Sequence, residues 1–506
     1  MANILILNLG GTSSLFSLGR LIKSISINSP DAKIGLLVLS EELNATGLIP
    51  GVNEIFTIKS EDIIEYFKSE LFSDALAVNS LLETLAPIES KTWDTILNFG
   101  GDEVGKYLSS YFALKYPNTT FLGNRYNQQN NSIPAGKWHL LSDALKDYPH
   151  FPLNDLEIAH LSMGTPIDLF TRPKEKDLGD IKVGIQIPKL TDDKNLPFKT
   201  LVEFIDILKT DLHYFPILLF DSNDEYAEKI NRYFDNELEI ISTNYLTLTK
   251  ILPLLDTLIT SGDAFKNLAQ QMGIPVIEAI GDREHLDSSW APGERDLTIV
   301  SKVRIKGEDI YNVLTRQFDL IDPETNLFTT LKDLIGARPY QLKGYRKNLS
   351  ILMSRYLIGK SYLNISDPEI LRELSNSFSK ELPEWLITEK EILCEVSRII
   401  LNSLRLLKQL TKGPDKVSEF VASINELLKF SSSGHLVSIP LLDFKYQTDL
   451  IPSKTDLTLF EDLIFTLKEG VQNTLLALKD LEHAIWDKKK VSLIAKSLKN
   501  RPAHLT

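Results

Sequence analysis

The stretch that most constrains the fold is Asp256–Gly281, DTLITSGDAFKNLAQQMGIPVIEAIG. An apolar run over Asp256–Thr260 meets a small-residue turn, Ser261-Gly262-Asp263. A helical stretch with Leu268 and Ala269 follows, then Gly273 and a second apolar run, Ile274–Ile280. Strand, turn, helix, glycine and strand make the βαβ unit of an open α/β sheet. Ligands of such sheets bind beyond the carboxyl ends of the strands, here at 261–264 and 281–284.

The same alternation begins at the N-terminus. Asn3–Leu9 is continuously apolar, as in a strand buried on both faces of a parallel sheet. Gly10-Gly11-Thr12-Ser13-Ser14 follows, then the helical pattern Leu15–Ile27. Glycines at such a turn leave backbone N–H groups open at a helix N-terminus, an anion site; the plainer reading is a tight turn with a serine cap. Strands are expected at Lys33–Leu39, Asn53–Ile58, Trp93–Phe99 and Thr119–Leu122. The third of these ends at Gly100-Gly101-Asp102-Glu103. Asp102 faces a ligand there or serves as a carboxylate favoured by the helix dipole. The charged, aperiodic Arg172–Asp180 reads as a linker, and alternation restarts with the strand Ile181–Ile187 and the amphipathic helix Phe198–Thr210. It continues to the strand Leu297–Val303 and the helix Gly307–Phe318.

From about Asp319 glycine becomes sparse and leucine-rich helical patterns take over, at Leu342–Leu357, Pro368–Phe378, Glu389–Leu410, Val417–Phe430 and Leu459–Trp486. Ser431–Lys454 reads as a looser connection. The stripe Leu393, Val396, Ile400 and Leu404 suits a bundle core or a partner face. The expected architecture is therefore α/β: two Rossmann-like doubly wound domains over 1–175 and 176–320, followed by an α-helical C-terminal region over 321–506.

Composition excludes several classes of function. A net charge of −13 opposes general nucleic-acid binding, which requires a basic face. Cys394 is the only cysteine, so no intrachain disulfide or cysteine-rich metal site forms. The histidines are scattered without metal-ligand spacing, and neither a structural nor an obligatory catalytic metal is expected. No apolar run approaches the roughly 18 residues that span a bilayer, and MANILILNLGG lacks the basic start of a signal peptide. A cytoplasmic protein is expected. The basic segment from Lys488 to Arg501, with Val491, Leu493, Ile494 and Leu498 interleaved, fits a solvated terminal helix or peripheral contact with anionic lipid at the inner membrane face.

The distributed framework Ala269, Gly273, Pro275, Gly281, Trp290 and Pro292 resembles the donor-side signature of the heptosyltransferases, glycosyltransferase family nine. The resemblance runs in order from about Ile4 to Phe318. It implies a GT-B fold, with the active site in the cleft between two Rossmann-like halves, the first facing the acceptor and the second the donor. It also implies inverting, metal-independent transfer of a sugar, plausibly a heptose, from a nucleotide-diphosphate donor to a lipopolysaccharide-core-like or protein acceptor. No cofactor is implied beyond the nucleotide sugar itself.

Site residues carry over position by position. Lys194 in Lys194-Asn195-Leu196-Pro197 matches the lysine that neutralises the departing diphosphate. Glu225 matches the glutamate that accepts hydrogen bonds from the donor ribose. The turns Gly262-Asp263-Ala264 and Gly10-Gly11 would receive phosphate or sugar oxygens. Asn267 stands where the family has histidine, and Ser14 where it has its general-base aspartate. A serine hydroxyl needs an activating partner to act as a base, so Asp263 and Asp102 are the candidates for that role. Arg125 and Lys137 are the cations available to an acidic acceptor. The alternative reading is a catalytically degenerate GT-B scaffold that binds a sugar nucleotide or a protein partner without turnover, its helical region serving as the partner surface.

Overall fold

The computed structural model describes residues 2–59, 74–100, 102–127, 131–145, 153–166, 180–187, 196–221, 225–261, 264–281, 296–301, 304–343, 349–363, 365, 367–377, 384–410, 416–432, 435, 437–449, 461–476, 479–480 and 483. The chain divides into two compact units. One comprises Met1–His139, Asn154–Lys332 and Gly336–Lys347; the other comprises Leu140–Leu153, Asp333–Ile335 and Asn348–Thr506.

The first unit holds two separate sheets. Strands β1 (Asn3–Leu7), β2 (Lys33–Leu39), β3 (Glu54–Ile58), β4 (Thr95–Asn98), β5 (Thr120–Tyr126) and β6 (Ser132–Ala135) form a sheet in the order β3-β2-β1-β4-β5-β6. All pairings are parallel except the β5–β6 edge. Strands β7 (Ile181–Ile187), β8 (Tyr214–Asp221), β9 (Glu239–Thr243), β10 (Thr257–Thr260), β11 (Val276–Gly281), β12 (Leu297–Ser301), β13 (Thr325–Lys332) and β14 (Ala337–Lys343) form the second, ordered β14-β13-β12-β11-β10-β7-β8-β9. In each sheet the first strand is central, and later strands are added first on one side and then on the other. This doubly wound order creates a switch point, between β1 and β4 in one sheet and between β7 and β10 in the other.

Continuous apolar strands account for the layering. Leu5 and Leu7 point into one core with Trp93 and Phe112, while Ile4 and Ile6 point into another. That second core is shared by both sheets. It takes Ile34, Leu36 and Val38 from the first sheet, Ile217, Leu219, Leu258 and Val276 from the second, and residues of the helices Thr12–Asn28 and Ala264–Gln271 between them. Buried apolar area contributes about 25 cal/mol per Å², so this shared core holds the two halves together as one body.

Two expectations are corrected. The stretch after Asp319, read as wholly helical, carries β13 and β14, an antiparallel pair that extends the second sheet. TNLFTTLK has neither a strict alternation nor a continuous apolar run, so its own residues do not announce the strand, which lies between β12 and β14 with its first four residues buried. The expected loose connection at Ser431–Lys454 contains a helix, Ser438–Asp449, with Leu441, Leu442 and Phe444 buried.

The second unit is helical over Leu349–Tyr362, Pro368–Ser377, Glu384–Leu410, Val417–Lys429, Ser438–Asp449 and 461–476. Leu393, Val396, Ile400 and Leu404 are all buried, so the expected stripe is core. Its buried Arg355 is held by Asp333, Nε to Oδ2 at 2.7 Å and Nη2 to Oδ1 at 3.0 Å. No helix among the described residues is long and apolar enough to cross a membrane.

Candidate functional site

The site is built where the first sheet changes direction. β1 runs out into Asn8-Leu9-Gly10-Gly11, and β4 into Phe99 and Gly100. A side chain on Gly10 would begin 3.9 Å from the Gly100 Cα and 3.5 Å from the Ser14 Oγ. Gly11 and Gly100 have φ of 95° and 98°, a conformation glycine adopts without strain. The two turns therefore approach through bare backbone, with the first turn of the Thr12–Asn28 helix above them. Its leading amides have no side-chain cap, which leaves donors for an anion or a sugar oxygen.

Polar side chains with unsatisfied atoms gather at the same edge. Asn8 is completely buried; its Oδ1 accepts from the Ser14 hydroxyl, and its Nδ2 has no partner. Asn98, ending β4, donates from Nδ2 to the Asn124 carbonyl at 2.8 Å, while its Oδ1 is buried and unpartnered. Asp102 caps the Glu103–Lys115 helix, Oδ1 accepting from the Gly105 amide at 2.7 Å; its Oδ2 is buried without a partner. The capping alternative for Asp102 is thus observed. On β5 the Arg125 Nε is likewise buried and unpartnered. Buried polar atoms are normally satisfied, and these unpartnered atoms lie together at the carboxyl edge of the first sheet, the edge at which doubly wound sheets take ligands.

One residue of this edge is absent from the sequence-level candidates. Glu42 lies three residues beyond the end of β2, is buried, and has an Oε2 with no partner. Its Oε1 lies 3.7 Å from where a Gly11 Cβ would stand. Burial raises its carboxyl from the ordinary range to about 7; Glu41 adds to the shift and a hydrogen bond from Thr12 opposes it. The signal that could have found it is its place just beyond the carboxyl end of a strand beside the switch point.

The second sheet's switch point adjoins this edge. At the ends of β7 and β10 the Thr260 hydroxyl donates to the Gln186 Oε1, both residues being buried. The helix Ala264–Gln271 packs on Thr12–Asn28, and their first turns meet where Asn267 Nδ2 donates to the Ser13 carbonyl at 3.0 Å and to its Oγ at 2.9 Å. Further along, Arg20 Nη2 donates to Gln270 Oε1 at 2.9 Å, and Gln270 Nε2 to Asp296 Oδ2 at 2.6 Å. Burial lowers Arg20 to about 10, against the raising influence of Asp296. Burial, with Arg20 nearby, also lowers His160 to about 4. Two helix N-termini thus converge on one rim, each with the positive end of its dipole toward it.

No protein-family model matches the chain, and no curated protein matches it. Solved structures do. The chain is similar to the E. coli heptosyltransferase WaaC with ADP, at 13% identity over 62% of this chain and 99% of that one, with a TM-score of 0.46. It is similar to the E. coli ADP-heptose lps heptosyltransferase II at 11% identity, over 63% and 98% of the two chains, with a TM-score of 0.45. A family 9 glycosyl transferase from Veillonella parvula matches at 12% identity, over 64% and 90%, with a TM-score of 0.43.

Of the residues singled out from sequence, Gly10, Gly11, Ser14 and Asp102 share the first switch point, and Asn267 reaches it through Ser13. Ala264 opens its helix and is buried. Glu225 opens the helix Glu225–Tyr233, but its side chain lies outside the description. Lys194, Gly262, Asp263, Trp290, Pro292 and the basic C-terminal segment lie outside the described residues. Lys137 begins a helix, Lys137–Leu145. A recess lined by Asn3, Lys33, Asn53, Glu54, Lys91 and Trp93 opens at the amino-terminal edge of the first sheet. That is the wrong edge for a doubly wound ligand site, and the Lys91–Glu54 ion pair lies on it.

Proposed function

We propose that the protein is a heptosyltransferase-like glycosyltransferase, moving a sugar from a nucleotide-diphosphate donor to an acceptor hydroxyl by inverting displacement without a metal. The observation that carries this reading is the coincidence of the family's ordered framework with the ligand edges of two doubly wound sheets. Gly10 and Gly11 lie on one such edge and Gly281 ends β11 on the other, while Ala264, where the family has glycine, opens the helix after β10. Gly273, with φ of 73°, makes the turn between Ala269 and Pro275.

In this reading the helix N-termini and glycine turns receive the phosphates and sugar oxygens, with Asp263 among the receiving residues. Lys194 neutralises the charge that grows on the leaving diphosphate, and Glu225 receives the ribose. The acceptor is a lipopolysaccharide-core-like glycolipid or a protein, met at the inner face of the cytoplasmic membrane, with the basic C-terminal segment as a peripheral lipid contact. The helical region offers a surface for a protein partner.

A second reading is favoured by two contacts. The residues at both family polar positions, Ser14 and Asn267, are engaged within the protein, with Asn8 and Ser13 respectively. That arrangement suits a scaffold that binds a sugar nucleotide without turnover. Incubation with ADP-, GDP- and UDP-sugars separates the two. Release of nucleoside diphosphate that Lys194→Ala abolishes supports the transferase; thermal stabilisation by nucleotide without release supports the binder.

A further inference from the structure

The displacement proposed above needs a proton acceptor, and the position the family devotes to it is Ser14. Ser14 is spent on Asn8, and Asp102 is held as the cap of the Glu103–Lys115 helix through one oxygen, its other oxygen being unpartnered as in Glu42. Glu42 is differently placed. Its carboxylate comes from the β2 side of the switch point and stands against the Gly10-Gly11 turn, beside the uncapped first turn of the Thr12–Asn28 helix. It is 6% exposed, and one of its oxygens has no partner. A side chain at position 11 would stand 3.7 Å from the other oxygen; glycine there places none against it.

We propose that Glu42 is the general base of this protein, taking over the role that Ser14 cannot perform. The inference rests on the glycosyltransferase reading. In the step, the acceptor oxygen forms its bond to the anomeric carbon while its proton passes to the Glu42 carboxylate. The bond from the anomeric carbon to the diphosphate oxygen breaks, its electron pair leaving with the nucleoside diphosphate. The protonated Glu42 then returns its proton to solvent. The groups acting on Glu42 are few: Glu41 presses a negative charge on it from its own turn, and Thr12 donates a hydrogen bond from the facing helix, whose first turn holds no acidic residue. A carboxyl titrating near 7 is matched to proton transfer at neutral pH.

The test uses the full chain and follows nucleoside diphosphate release from ADP-, GDP- and UDP-sugars, with water and with a lipopolysaccharide core glycolipid as acceptors. Wild-type turnover is expected to fall away on the acid side with a limb near pH 7. Glu42→Gln should lower kcat roughly 10²–10⁴-fold and abolish that limb, while leaving stabilisation by ADP intact. Glu41→Gln, at an exposed neighbour, should keep kcat and move the limb to lower pH. Glu42→Gln at wild-type turnover, or a limb that ignores Glu41→Gln, overturns the base assignment and leaves the transferase reading standing. No release from any donor by the wild type overturns the transferase reading, and the base falls with it. The Glu41→Gln limb remains decisive should Glu42→Gln fail to fold.

Discussion

The Asn267 amide donates to both the carbonyl and the hydroxyl of Ser13, at 3.0 and 2.9 Å, joining the helix after β10 to the helix after β1. Residues 254 apart in sequence thereby fix the spacing of the two ligand edges. The contact is exposed, so its net worth is that of ordinary hydrogen bonds. Asn267→Ala should lower stability by about 1 kcal/mol, read as a lower denaturant midpoint at unchanged slope.

The helices Phe198–Thr210 and Gly307–Leu314 pack at backbone contact. A Cβ on Gly307 would lie 2.3 Å from the Phe204 amide nitrogen and 2.7 Å from the Glu203 carbonyl carbon. Neither atom can rotate aside, so the helices must separate. Gly307→Ala should cost about 1–3 kcal/mol or more. Gly47→Ala, whose nearest neighbour is the Asn44 carbonyl at 3.8 Å, should leave the thermal midpoint nearly unchanged.

Lys266 and Glu278 form an ion pair at 2.8 Å with both side chains only 9% exposed. Lys266→Met would leave the buried carboxylate without its cation. A loss of about 3–5 kcal/mol is expected, with much of it recovered by the double variant Lys266→Met/Glu278→Met. Chemical denaturation of the three variants against wild type checks both statements.

The Glu42 carboxyl titrates near 7 in the folded protein and at 4.5 when unperturbed. Between those values the folded state binds the extra proton, so this group's contribution falls as pH rises and is flat above about 7. His139 and His160, both lowered to about 4 by burial, act oppositely, adding stability as pH rises from 4 to their ordinary 6.5. The difference between wild type and Glu42→Gln cancels the histidines. Relative to the variant, wild type should lose stability from pH 5 to pH 8, as measured by denaturant midpoints at the two pH values.

Much of the architecture was readable because burial on both faces leaves a plain mark. Lys33–Leu39 and Ile181–Ile187 are strands with the boundaries that their apolar runs give, and Phe198–Thr210 is the helix its periodicity gives. Asn244 caps its helix, with its Oδ1 on the Thr247 amide, as its residue type suggests. The antiparallel additions β6, β13 and β14 were not readable, because nothing in their own residues says which neighbour completes them.

The sequence by itself determined the alternation of strands and helices, the glycine turns at their ends and the burial of the stripe through Leu404, because these depend on local period and on the conformations that single residues tolerate. The tertiary structure decided which polar groups are spent and which are left over. Asn8 is 6 residues from Ser14, yet only the fold aims its amide oxygen at that hydroxyl. Glu42 is unremarkable as an acid after a strand until β2 is laid beside β1, and its carboxylate is buried against the Gly11 turn. Desolvation and proximity are properties of the packed chain, and they set the chemistry of a carboxyl group whose identity alone leaves that chemistry open.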